Sequence, residues 1–440
     1  MLMRRTLVPW LFTPLVAGAL ACCAPTRIPA PAPALSAQAP AQVVARVRAV
    51  FDSAVAAGGY PGATLGVVLR DGSSFGMAAG WSDTVARQPM RPDHLLLSGS
   101  TGKTYVAAVA LQLMAEGRLR LDDPISRWLG AEPWFARVDN GEAVTVRHLM
   151  THTSGLVRYE FNPRFVEDLN REPGRTWTPE QRLAYLFDTP APFRPGAGWE
   201  YSDTNYIVLG MIIERITGRP LNDEIRARVL RPLRLAGTVP SDRPRIAGLS
   251  QGYAGPRNPF GGRDAMVQNG ALVINPQFEW AGGGYATTAH DLARWGKMMY
   301  EGRAYPLAWR DSAVQGVEAP GLGQGARYGL GVIIRPTPLG ITWGHAGFMP
   351  GYLTEVRYWP DLGISVAVQV NSSSGRSPAP VVNAVAAAVA AIGREPDQLA
   401  RRGAELIPMA GHRASCGGHG GAGGRTKLLR PSKDACPFTF

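Results

Sequence analysis

Between residues 42 and 393 the 440-residue chain has no cysteine; Cys22, Cys23, Cys416 and Cys436 all lie near its ends. That excludes a disulfide framework, a cysteine-rich metal site and a thiol nucleophile from the body. Cys416 and Cys436 are open to pairing in an oxidising compartment. Lysine is as scarce: Lys103, Lys297, Lys427 and Lys433 are the only four, and every other cationic side chain is arginine. The histidines at 94, 148, 152, 290 and 345 show no His-Glu-x-x-His spacing, so no metal is expected. No cofactor is implied and no solenoid-length repeat is visible.

What is present is a globular composition. With 45% hydrophobic residues the chain is long enough for one large domain or two interlocked ones. The net charge of +12 raises the question of nucleic acid. Its distribution answers it: residues 1–41 carry +3, residues 394–440 carry +4, and the body holds the remaining +5. No Arg/Lys block with interleaved aromatics stands out there, so a solvated surface is expected and nucleic acid is not.

The N-terminus reads as a targeting signal over residues 1–24. Arg4 and Arg5 precede an apolar run from Leu7 to Ala21, too short for a spanning helix. Ala19-Leu20-Ala21 fits a small-residue cleavage site, whereas Leu20-Ala21-Cys22-Cys23 resembles a lipoprotein box. Either route predicts a secreted or periplasmic protein, the second one anchored to the membrane through Cys22 or Cys23. Residues 25–41 are Pro/Ala-rich and predict a stiff tether.

The body, 42–393, predicts a helix from Gln42 to Ala57, then strands over Thr64–Leu69 and Phe75–Ala79 joined at Asp71-Gly72. A helix reaching Gly117 follows, with Val106, Val109, Ala110, Leu113 and Met114 spaced on one face. Helical segments continue to Gly218, and another helix follows Gly282-Gly283-Gly284. Strands return at Gly329–Ile334, Ile341–His345, Leu353–Tyr358 and Ile364–Val370, and a helix from Pro380 to Ile392 closes the body. Strands at both ends with helices between predict an α/β (α+β) fold: an antiparallel sheet flanked by helices, with a helical insertion over roughly 104–285. The Gly-rich residues 394–440 are expected to be disordered.

Ser100-Thr101-Gly102-Lys103 is a Ser-x-x-Lys at a helix start. Residues three apart share a helix face, which sets the amine beside the hydroxyl. Serine needs a neighbour to take its proton, and lysine can do so where arginine cannot. An ordinary helix with a chance Ser and Lys is the bland reading of the motif alone. Two similar patterns fail on context. Gly99 to Thr104 lacks the first glycine of a P-loop, since position 97 is Leu. Gly72-Ser73-Ser74-Phe75-Gly76 matches a nucleophile elbow but straddles a hairpin, where an elbow needs a strand-to-helix turn.

From Val43 to Ile392 the chain resembles the serine β-lactamase and penicillin-binding protein superfamily, above all the branch of class C β-lactamases, DD-carboxypeptidases and family VIII carboxylesterases. The resemblance rests on Ser100 to Lys103, Tyr60-Pro61-Gly62-Ala63, Gly117 to Pro124, Leu149 to Leu156 with its His-Thr-Ser-Gly, Tyr201-Ser202-Asp203, and His345-Ala346-Gly347. It implies the β-lactamase/transpeptidase-like fold. Ser100 becomes the nucleophile, and Lys103 and Tyr201 share the proton work. The backbone N–H groups of Ser100 and Phe348 form the oxyanion hole, and Asp203, His345, Ala346 and Gly347 bind substrate.

Two positions depart from the family pattern. Asp203 replaces an asparagine, so a donor becomes an acceptor; beside Lys103 it is expected to hold the amine protonated and to shift the base role toward Tyr201. His345 replaces lysine and weakens a fixed positive charge for a substrate carboxylate. His152 is expected to order its loop. The expected function is acyl-enzyme hydrolysis of small esters or amides. DD-peptidase or β-lactamase activity on peptides or β-lactams is the alternative, and a non-catalytic sensor or cell-wall-binding module is the reading from another class.

Overall fold

The computed structural model describes residues 39–255, 258–260, 264–374 and 376–405, with side chains as far as 392. The expected targeting signal, most of the tether and residues 406–440 lie outside the described residues.

The stretches Gly62–Val68 and Ile364–Val370 are apolar at nearly every position, and each is buried throughout. Such runs need cover on both faces of a sheet. They pair antiparallel with each other, Ala63 opposite Val370 and Val68 opposite Ser365, so the two ends of the body meet at the sheet centre. Around this pair a nine-stranded sheet runs in the order Gln88–Pro89, Ser74–Asp83, Gly62–Val68, Ile364–Val370, Tyr352–Trp359, Gly340–Met349, Ile333–Thr337, Arg327–Tyr328 and Val317–Glu318. On one face the helix Ala41–Gly58 sets Val43, Val47, Phe51 and Val55 against Leu65, Val67, Val366 and Val368, joined by Val381, Val382 and Val385 of the closing helix. Burying a Val or Phe side chain is worth about 1.5–3 kcal/mol. On the other face the helix Ala289–Tyr300 lies so near the sheet that a side chain at Gly66 would meet the Ala289 carbonyl. Residues 103–285 hold helices together with short strands at Thr238–Pro240, Val267–Gln268 and Ala271–Leu272.

The hairpin after Gly62–Val68 turns at Asp71, whose Oδ1 accepts from the Ser73 backbone N–H (2.9 Å) and hydroxyl (2.7 Å). This confirms a turn rather than an elbow at Gly72–Gly76. Three expectations are corrected. The strand expected at Gly329–Ile334 is split, because Gly329 to Val332 form a tight turn (Gly329 N–H to Val332 O, 2.8 Å) between Arg327–Tyr328 and Ile333–Thr337. The Lys103–Ala115 helix is buried on every side instead of one, since its Val, Ala, Leu and Met residues leave no polar face for water. Gln112, midway along it, donates to the Ala304 carbonyl at 2.6 Å. The closing helix runs from Ala379 to Glu405, past the boundary expected at 393. Among the described residues no helix is long and apolar enough to cross a membrane.

Candidate active site

Ser100 lies in a 3₁₀ turn, Gly99–Gly102, that feeds directly into the Lys103–Ala115 helix. The turn is wedged between two backbones. Gly99 has φ +52°, and a Cβ there would come within 2.7 Å of the Phe348 nitrogen on the strand Gly340–Met349. Glycine alone tolerates both the left-handed backbone and that approach. On the opposite side a Cβ at Gly102 would stand 1.7 Å from the Gly283 carbonyl. Gly102→Ala is therefore expected to cost about 1–3 kcal/mol through overpacking. It should also lower kcat/KM by about 10²-fold, since ångström-scale misplacement of reacting groups is that costly. Thermal denaturation and steady-state kinetics on the same preparation check both.

Lys103 is fully buried, and its Nζ donates to Ser100 Oγ at 3.0 Å. It also donates to Asp203 Oδ1 and to the Gly282 carbonyl. Three acceptors match the three N–H bonds of an ammonium group. The expected approach of Asp203 to Lys103 is thus observed. Burial works against charge on Asp203, but Lys103 and Arg158 outweigh it and hold the carboxyl below the ordinary carboxylate range.

Tyr201 packs beside this pair, with Lys103 Nζ 4.9 Å from the centre of its ring. Burial, then the negative charge of Asp203, pushes the phenol well above its ordinary value of 10. A resting phenolate is disfavoured, which works against the expected shift of the base role onto Tyr201. His152 positions this strip of chain. It sits in a left-handed backbone at φ +59°, its ring packs 4.2 Å from that of Tyr201, and Nδ1 accepts from the Ser202 N–H at 3.2 Å. Burial, then Lys103, lowers its pKa far enough to keep it neutral. The loop-ordering role expected of His152 matches these contacts.

His345 is placed differently from expectation, while Ala346 and Gly347 lie beside the serine turn on the strand Gly340–Met349. His345 is 2% exposed; its Nε2 meets the Tyr328 hydroxyl at 2.9 Å and its Nδ1 the Ala346 carbonyl at 2.6 Å. Burial, then Lys103, lowers its pKa to about 3. It is a neutral ring whose two nitrogens are taken up within the protein, so the expected substrate contact is corrected to a structural one. Ala346 packs with Tyr201, Leu322 and Tyr328. A side chain at Gly347 would meet the Ser98 carbonyl at 1.9 Å, so this glycine seats the strand on the serine turn.

The cleft itself is lined by Ser100, Asp203 and Phe348, and by residues that sequence reasoning missed: Arg158, Glu160, Phe161, Phe260, Phe278, Glu279 and Met349. Arg158 and Glu160 follow the His-Thr-Ser-Gly loop without helical or strand periodicity, so no sequence signal marked them. Among the described residues no His/Cys/Asp/Glu group is arranged to hold a metal ion.

Comparison with known proteins agrees with this architecture. The sequence model of the Beta-lactamase family matches residues 47–391. Esterase EstB of Burkholderia gladioli is 33% identical over 367 residues, 76% of this chain and 91% of that protein. Penicillin-binding protein 4* of Bacillus subtilis is 26% identical over 63% of this chain and 61% of that protein. The crystal structure of a D-stereospecific amidohydrolase from Streptomyces sp. superposes with a TM-score of 0.67 at 31% identity, covering 77% of this chain and 97% of that one. With a serine and a lysine on one helical turn, an antiparallel sheet beside them and a family match along most of its length, the chain belongs to the beta-lactamase family of serine hydrolases.

Proposed function

We propose that this chain is an exported esterase or amidase that forms an acyl-enzyme on Ser100. The observation that carries the reading is the 3.0 Å hydrogen bond between Lys103 Nζ and Ser100 Oγ in a buried site, with the Tyr201 ring 4.9 Å from the same amine. Ser100 Oγ attacks the acyl carbon, and its proton passes through Lys103 and Tyr201 to the leaving group. The backbone N–H groups of Ser100 and Phe348, whose segments touch across Gly99, stabilise the oxyanion. Water then releases the acyl group. The similarity to an esterase and to an amidohydrolase over most of their lengths supports this choice.

A substrate carboxylate, as on β-lactams and D-alanyl peptides, finds no charged partner at His345, which is a neutral ring here. A lost charge-assisted hydrogen bond is worth about 1.5–3 kcal/mol, so p-nitrophenyl butyrate should outrun nitrocefin by roughly ten- to hundredfold in kcat/KM. Mass spectrometry after exposure to a fluorophosphonate or a fluorescent penicillin should place the adduct on Ser100. Failure of both reagents to label the protein sinks the reading and favours a binding module.

A further inference from the structure

A cavity of about 770 Å³ shares no lining residue with the catalytic cleft. Its walls mix two kinds of side chain. Leu230, Leu235 and Val239 give it aliphatic surface, and Arg226, Arg231, Arg234, Arg243 and Arg245 give it positive charge. Among the described residues no carboxylate and no aromatic ring lines it.

Most of that charge is not neutralised by the protein itself. Asp223 holds Arg226 at 2.5 Å and Asp242 holds Arg243 at 2.7 Å. Arg245 donates to a neutral group, the Asn269 carbonyl, at 2.9 Å. Arg231 and Arg234 are exposed, and among the described residues no acceptor takes up either guanidinium. Two features of the backbone build the cluster. Arg226–Leu230 is a π-helical turn, closed by the Arg231 N–H on the Arg226 carbonyl at 3.0 Å. The wider turn sets two arginines five apart on one side, and such turns are frequent at functional sites. Arg234 then takes φ +53°, a left-handed backbone that a non-glycine residue keeps only where its surroundings hold it. Arg294, paired with Asp291, supplies the hold by donating to the Arg234 carbonyl at 2.9 Å and the Leu233 carbonyl at 3.3 Å.

Guanidinium forks match the oxygens of phosphate. The aliphatic wall fits a hydrocarbon chain beside that anion, and without a ring in the wall a nucleobase has nothing to stack on. Four of the five arginines are exposed, which suits an anion presented by a surface better than one enclosed by the protein. We propose that this cavity receives the phosphate headgroup of an anionic phospholipid, and that the body of the protein docks on a membrane surface through it. The contact is peripheral and electrostatic, with Leu230, Leu235 and Val239 meeting the first carbons of the lipid. It is independent of the acyl-enzyme reading.

The test is hydrogen–deuterium exchange of the full chain, read by mass spectrometry, with vesicles of phosphatidylglycerol and phosphatidylcholine in equal parts. Peptides within residues 226–247 should be protected. Vesicles of phosphatidylcholine alone should give no protection. The effect should fade with salt, as the screening length falls from about 10 Å at 0.1 M to about 3 Å at 1 M. Because the readout is resolved along the chain, binding by the basic termini does not imitate it. In the double variant R231A/R234A the thermal midpoint should stay, since both side chains are exposed and unpartnered among the described residues. The vesicle concentration for half-protection should rise roughly thirtyfold, the factor for two arginines near an anionic surface. Exchange within 226–247 that the vesicles leave unchanged overturns the proposal, as does a double variant protected at the original vesicle concentration. Equal protection by glycerol 3-phosphate overturns it too, and would mark a site for a soluble phosphate ester.

Discussion

Alanine at position 100 is expected to lower kcat/KM by about 10⁴-fold or more, in line with nucleophile removal in other serine hydrolases. The argument is local. Ser100 Oγ is the hydroxyl that the Lys103 amine reaches, and Ser100 lines the cleft. The rest of the site survives the substitution: the Gly99–Gly102 turn stays wedged against Phe348 and Gly283, and Lys103 keeps Asp203 and the Gly282 carbonyl. KM should change little, and stability should shift by no more than about 1 kcal/mol, the worth of one hydrogen bond. Steady-state kinetics beside a urea unfolding curve separates the two effects. Turnover at the original rate would remove Ser100 from the chemistry.

The second large effect is at Lys103, and it is double. Lys103→Met preserves the length of the side chain and its burial, yet removes the donor to Ser100, Asp203 and Gly282. Loss of a general base costs about 10²–10⁴ in kcat. Stability falls as well, because Asp203 is left as a buried carboxylate without its cation. Breaking one side of such a pair costs about 3–5 kcal/mol. Adding Asp203→Asn removes that stranded charge, so the double variant K103M/D203N should regain most of the stability and none of the activity. A double-mutant cycle from denaturant curves measures the coupling. A K103M protein as stable as the original would show that the two side chains do not hold each other.

The parts legible in sequence were those written in local patterns. Largely apolar runs marked the strands expected at Thr64–Leu69 and Ile364–Val370, and Ser100 with Lys103 sat at the one spacing that a helical turn converts into contact. The illegible parts depend on distant partners. Nothing near Gly102 announces that Gly283 presses against it, because that contact joins segments far apart in the chain. The departure at Asp203 was visible, and so was its partner Lys103; that Arg158 and Glu160 line the same cleft was not. His345 shows the opposite error. Its place in a family motif suggested a role toward substrate, while the Tyr328 hydroxyl that claims its ring comes from another strand.

The serine turn is closed on one side by residues 347–348 and on the other by residues 282–284, and the sheet's middle is completed only by 364–370. During synthesis the nucleophile emerges some 250 residues before the strand that forms its wall. Such long-range closure makes for slow folding and a lengthy interval with apolar surface exposed. It also means that a nascent or truncated polypeptide has the reactive alcohol but no oxyanion cradle. Hydrolytic competence therefore arrives in one step, at the end of assembly, and fragments ending before residue 370 should be inert toward esters even though they carry the complete Ser-x-x-Lys segment.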